Sequence, residues 1–199
     1  MSISTLTLQD VSRHAEQFLK KFHLANTLPI PIENIVELQM GIQIMVVPGI
    51  KSLIGVDAFI SSSFSEITID EYSYTKFPER TRFSIAHEIG HLILHREWYE
   101  KYGPKNMGEY LTFCDRVDGQ LYKYTEIQAQ TFAGMVLVPK NLLAKELKSR
   151  VGVIPSNIEP ELLTYAIQDL PEVFQVSDAV ILRRLQKEGF VKSNPNCRR

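Results

Sequence analysis

Apolar residues recur along this chain with two different periods, and the changes of period mark its elements. Over residues 8–23, Val11, Ala15, Phe18, Leu19 and Phe22 share one helical face, with Asp10 or Ser12 as a start, which predicts an amphipathic opening helix. A second, short helix is expected over 31–40, with Pro31 near its beginning, Ile32, Ile35, Val36 and Leu38 inside and Gly41 just past its end. The pattern then turns β-rich in three runs, 42–47, 54–60 and 66–70, separated by Pro48-Gly49 and by Ser61-Ser62-Ser63. A small three-stranded antiparallel sheet is the simplest arrangement of these runs. Helical spacing returns after Pro78, over 79–96. The polar stretch 101–120 predicts a long loop, and loops of that length are usually functional or disordered. Helix resumes near 123–137 and must stop before Pro139, because the residue preceding a proline is pushed out of the helical region. Further helices are expected near 140–149, 159–170 and 177–189.

The order helix, small sheet, helices argues for an α+β fold, mainly helical, rather than an alternating parallel-sheet design. We expect one domain over 1–140 and a helical segment over 141–199 packed on it. A formal net charge of -1 with 23% charged residues gives no electrostatic pull toward nucleic acid or a membrane surface. The two cysteines, Cys114 and Cys197, are far apart and the second lies in a polar tail, so neither a disulfide framework nor a four-thiolate zinc site is available. A reducing cytoplasm fits this usage. The chain begins without a basic stretch followed by an apolar one, and no segment approaches the ~18 apolar residues of a spanning helix.

The chemistry concentrates in His87-Glu88-Ile89-Gly90-His91. On a helix the two histidines lie one turn apart, ~6 Å along the axis and about 40° apart in angle, so both imidazoles can grip one ion. Glu88 falls on the same side and can reach a water on that ion without being a ligand. Ile85, Ile89 and Leu92 anchor the opposite side, and Gly90 leaves room for a neighbouring backbone. With 5 histidines in 199 residues, a chance match to this pattern is expected on the order of 0.01 times. The competing reading is a helix with two histidines satisfied in a core.

A catalytic zinc commonly has three protein ligands and an open position. His95 is two turns from His87, ~12 Å along the axis, so a straight helix cannot bring all three histidines to one ion; His95 reads better as support for a ligand imidazole or as packing. Glu97 stands where the metzincin pattern requires a third histidine. Glu126 is the best candidate, at the start of a second helix whose Ala129 and Ala133 share its face and allow close approach. Gln130, one turn on, is placed to orient a ligand imidazole. A solvated glutamate favoured at a helix start by the macrodipole remains the alternative for Glu126.

Two blocks, Arg82-Phe83-Ser84-Ile85-Ala86-His87-Glu88-Ile89-Gly90-His91-Leu92-Ile93-Leu94-His95 and Glu126-Ile127-Gln128-Ala129-Gln130-Thr131-Phe132-Ala133, the latter leading to Val136-Leu137-Val138-Pro139, resemble the ImmA/IrrE family of metallopeptidases. The likeness extends weakly over residues 10–190. It implies a zincin-like fold with the sheet beside the active-site helix, His87, His91 and Glu126 as Zn2+ ligands and Glu88 as general base. It also implies a protein substrate, typically a helix-turn-helix repressor encoded nearby, whose cleavage derepresses a mobile element or a stress response. The family often carries asparagine where this chain has Gln130.

In such a site zinc acidifies a water toward a pKa of ~7, and Glu88 takes its proton and returns it to the departing amine. Tyr122, Tyr124, His14 or His23 is available as an oxyanion donor, and nothing in the sequence selects among them. Two readings from other classes compete. Residues 170–190 resemble a helix-turn-helix with Arg183, Arg184 and Lys187 on its second helix, but Val180, Ile181, Leu182 and Leu185 make that helix largely apolar, and the chain lacks a basic excess. The other is a metal-bound, non-catalytic regulator or toxin-antitoxin component that docks through protein or DNA. Cys114, between the two motif blocks, is a candidate cap on the zinc, against the ordinary role of a small apolar residue.

Overall fold

A computed structural model describes residues 6–152, 165 and 167–191. Helix α1 runs Leu8–Phe22 and is capped by Thr7, whose hydroxyl accepts from the Asp10 N–H while Asp10 reaches back to the Thr7 N–H. Its Val11, Ala15 and Phe18 face inward as the spacing requires. The short helix expected over 31–40 is a single turn, α2 (Ile32–Asn34), continued as a π-helical stretch over Ile35–Gln39.

The sheet corrects the sequence reading in two ways. Residues 54–60 do not form one strand: helix α3 (Ile50–Ile54) occupies the first part, and Gly55, at φ 79°, ends it in the left-handed region that glycine enters freely. Strand β2 therefore starts only at Ala58 and covers Ala58–Ile60. With β1 (Gln43–Val47) and β3 (Glu66–Asp70) it forms a sheet of order β1-β3-β2. It is mixed, not antiparallel. β3 pairs with β1 in parallel, Gln43 opposite Glu66, and with β2 antiparallel, Ala58 opposite Ile69. Burial places β1 at an edge, since it is half exposed whereas Ile67–Asp70 are all buried; β2, also buried, lies at the other edge against α5. α3 then carries the chain across from β1, and the tight turn after β2 lays it antiparallel on β3.

Asp70 ends β3 and caps α4 (Glu71–Lys76), a helix the apolar pattern did not announce. Pro78 opens α5 (Pro78–Leu94), where its missing N–H costs nothing. The expected loop over 101–120 is largely helical, with α6 at Arg96–Tyr102 and α7 at Met107–Arg116. Tyr110 and Phe113 are its buried anchors, too few to show a period. Its start was legible in Asn106, whose side chain accepts from the Glu109 N–H. α8 (Gly119–Leu137) begins at the Asp118 cap, ahead of the expected 123, and ends before Pro139.

α9 (Lys140–Val151), α10 (Leu170–Phe174) and α11 (Asp178–Lys187) follow. The helix expected over 159–170 falls mostly outside the described residues, as does Cys197. Leu143, Leu147, Phe174, Ile181 and Leu185 join the same core as Ile60, Ile67, Ile69, Ile85, Ile89 and Phe132, each worth about 1.5–3 kcal/mol when fully buried.

At the centre α5 lies across α8. A Cβ on Gly90 would sit 3.0 Å from Ala129 Cα and 3.1 Å from its carbonyl oxygen, so the missing side chain sets how closely the two motif helices approach. Among the described residues no helix is long and apolar enough to cross a membrane.

Candidate metal centre

The close approach of α5 and α8 brings three donors to one point. His91 Nε2 is 3.0 Å from His87 Nε2. Glu126 places Oε2 3.2 Å from His87 Nε2 and Oε1 3.2 Å from His91 Nε2. These separations approach the ~3.4 Å that tetrahedral bonds of ~2.1 Å impose on a zinc ion's ligand atoms. Two imidazole nitrogens facing each other across 3.0 Å repel unless a proton or a cation lies between them. Two nitrogens and one carboxylate oxygen form a donor set suited to zinc.

The tautomer of His91 follows from its neighbours. Gln128 donates its amide N–H to the Leu6 carbonyl at 3.1 Å, which leaves Oε1 as the acceptor, 2.9 Å from His95 Nε2. His95 therefore carries its proton on Nε2 and accepts at Nδ1 from His91 Nδ1–H across 3.2 Å. His91 is left with a bare Nε2 lone pair aimed at the convergence point. His95 thus sits behind His91, as support, in line with the helical-spacing argument. Gln128, and not Gln130, supplies the side-chain amide, because α8 turns residue 128 toward the end of α5. Gln130 is exposed and lines the cleft, with no hydrogen bond to an imidazole among the described residues.

Glu88 is buried beside this triangle, and its Oε2 accepts from the Ile60 N–H at 2.9 Å. Ile60 belongs to β2, the outer strand, so this N–H is not needed by β3. Sequence reasoning did not foresee the contact, which depends on the sheet order. Burial pushes the Glu88 carboxyl up to about 8, helped by the Glu126 charge and opposed by His87 and the Ile60 N–H. Burial also lowers His91 and, with the neighbouring His91, lowers His95 to about 4. Glu126 behaves oppositely: burial would raise it, yet hydrogen bonds from His87 and His91 hold it well below the usual carboxylate range.

The triangle forms the floor of a cleft of about 250 Å³, walled by Gly55–Ala58, Phe83 and Ser84, and by Tyr99, Tyr110, Tyr122 and Gln130. Of the four oxyanion candidates, Tyr122 lines it. Tyr124 points to solvent at 60% exposure, and His23 is bound to the Thr27 carbonyl at 2.9 Å. Cys114 sits on α7 beside Tyr110 and Tyr122; burial raises its thiol against hydrogen bonds with those hydroxyls. It does not line the cleft. Arg184, one of the three basic residues on the second helix of the helix-turn-helix reading, is buried at 3% exposure.

A family model described as the IrrE N-terminal-like domain, of peptidase family M78, matches residues 71–186. The stretch runs from α4 into α11 and contains His87, Glu88, His91 and Glu126. A search of curated proteins by sequence found no match. Among solved structures the chain is similar to a Mycobacterium tuberculosis transcriptional regulator, with a TM-score of 0.58 at 15% identity, over 96% of this chain and 49% of that one. This chain thus spans about half the length of that protein, and the likeness concerns the fold. The matched segment is more than half of the sequence, and the chain belongs to the M78 peptidase family, that of the IrrE N-terminal-like domain.

Proposed function

We propose that this metallopeptidase family member is a zinc-dependent endopeptidase, acting in the cytoplasm on a protein substrate, a helix-turn-helix transcriptional repressor whose cleavage derepresses a mobile element or a stress response. The observation that carries the reading is the convergence of His87 Nε2, His91 Nε2 and Glu126 with their ligand atoms within 4.8 Å of one another, beside a cleft-lining carboxylate that is not part of the triangle. In this reading those three residues hold the ion, which when bound supplies a Lewis acid and lowers the pKa of water toward ~7.

The remaining work falls to the chain. Glu88 is pinned through Oε2 by the Ile60 N–H, which leaves Oε1 to accept a proton from the attacking water and deliver it to the departing amine. A divalent charge nearby would favour the ionised form of Glu88, against the rise that burial imposes. The relay from Leu6 through Gln128 and His95 keeps the His91 proton on Nδ1. Tyr122 stands in the cleft as the oxyanion donor. A zincin-like arrangement of sheet and motif helix is part of the same reading.

Purified protein loaded with zinc and incubated with the helix-turn-helix repressor encoded beside it tests the proposal. Cleavage by the native chain is expected, while Glu88→Gln should retain zinc and lose roughly 10²–10⁴ in rate. Full cleavage by that variant sinks the mechanism.

A further inference from the structure

A second recess opens beside the cleft, between α8 and α11, and its charge is one-sided. Phe83 and Gln130 line both spaces, so the two are neighbours along one wall. Beyond them the recess is bounded by Thr131, Gly134, Arg183, Arg184 and Lys187. Arg184 Nε donates to the Val138 carbonyl at 3.0 Å and Nη2 meets Glu188 at 2.8 Å. Its Nη1 is buried and has no partner among the described residues. A guanidinium stays charged and carries five donors, and a buried donor left unmet is destabilising.

Gly134 packs beside the stem of Arg184, where a Cβ would meet Cδ at 3.4 Å, an ordinary van der Waals contact. Lys187 lies alongside, its Nζ 2.7 Å from Thr131 Oγ1. The acid paired with this cluster is Glu188, and its charge is shared with Lys140 at 3.0 Å. Burial, followed by repulsion from Arg184 and Arg183 and opposed by Glu188, pushes the Lys187 ammonium below its ordinary value.

We propose that this recess is an anion subsite of the peptidase, which takes the carboxylate of an aspartate or glutamate in a substrate segment lying along the cleft. The inference rests on the endopeptidase reading for its substrate and on the Arg184 cluster for its chemistry. The open space of about 20 Å³ is that of one or two waters. That admits a planar carboxylate, which can accept from Nη1 and a neighbouring donor together, more readily than a tetrahedral anion. Peptide is favoured over a free ion because the recess adjoins the cleft, with Phe83 and Gln130 lining both.

The test uses the zinc-loaded full chain in two assays. A random peptide library is digested and the products sequenced by mass spectrometry. Matched fluorescent peptides differing only in Asp against Asn are titrated onto zinc-loaded Glu88→Gln protein. We expect acidic residues to be enriched roughly tenfold at one position relative to the cut, and the Asp peptide to bind roughly tenfold more tightly than its Asn counterpart. The double variant Arg183→Gln/Lys187→Gln, altered at side chains nearer the surface than Arg184, should bring both ratios within about twofold.

Equal binding of the Asp and Asn peptides overturns the subsite. So does cleavage with no acidic preference, which leaves the peptidase standing. Asp preference in binding without cleavage of any library peptide supports the subsite and removes the peptidase reading. Inorganic phosphate alone is the third arm: if it binds as tightly as the Asp peptide, the recess serves a free anion and the proposal fails.

Discussion

At the scale of single residues the candidate site is a matter of which atom carries which proton. His91 presents a bare Nε2 because a carbonyl, which can only accept, sits at the far end of the relay: Leu6 O, then Gln128, then His95. Gln128→Leu removes the amide that orients His95 and frees His91 to place its proton on either nitrogen. Zinc affinity, measured by competition with a chromogenic chelator, should fall roughly 10–100-fold, the usual effect of losing such support; unchanged affinity would show that the relay does not hold the tautomer. His87, Glu88 and His91 were legible from spacing because a helix fixes relative direction every 3.6 residues. Gln128 was not. Counting from Glu126 points to Gln130 one turn on, but the crossing of α8 over α5 decides which amide meets an imidazole, and a crossing is not a local property.

At the scale of elements, two joints carry the site. The first is Gly90 against Ala129. Gly90→Ala gains up to about 1 kcal/mol of helix propensity, but its Cβ meets Ala129 backbone at 3.0–3.1 Å, which cannot swing away as a flexible side chain does. Overpacking of about 1–3 kcal/mol should win. We expect a lower melting temperature together with weaker zinc binding, since Glu126 moves with α8; a variant at least as stable as the native chain would contradict this packing. The second joint is Asp70, whose two oxygens accept from the Lys51 N–H and the Ser73 N–H, both at 3.1 Å, tying α3 and α4 to the end of β3. Burial would raise this carboxyl, but those N–H bonds outweigh it and hold it below the ordinary value. A depressed folded pKa means its stabilising contribution is complete above the unfolded value of ~3.9 and disappears as pH falls through the lower folded value. Asp70→Asn, which keeps one acceptor, should therefore be about 1 kcal/mol less stable at pH 7, and urea titrations should show the gap closing below pH ~4. A gap constant with pH would mean the charge on Asp70 plays no part.

At the scale of the whole molecule, Arg82 links distant parts of the chain to the start of the motif helix. It is 7% exposed and bonds the Ile30 carbonyl, Glu33 at 2.8 Å and the Gln175 carbonyl at 3.3 Å, joining α5 to the segment before α2 and to the turn between α10 and α11. Arg82→Ala should cost about 2–3 kcal/mol, read as a shift in the urea midpoint, and a shift equivalent to less than ~0.5 kcal/mol would place the coupling elsewhere. The bonds to Ile30 and Gln175 span 52 and 93 residues of sequence, which is why no pattern announced them. Residue order alone was enough for what is local: the opening helix, the face shared by His87, Glu88 and His91, the stop before Pro139, and Glu126 as one of two readings. Packing settled the mixed order of the sheet, the Ile60 N–H on Glu88, Gln128 in place of Gln130, and the burial of Arg184. It also brought Glu126 within 3.2 Å of both imidazoles, because convergence across two helices depends on how they pack, and a missing Cβ at Gly90 sets that distance.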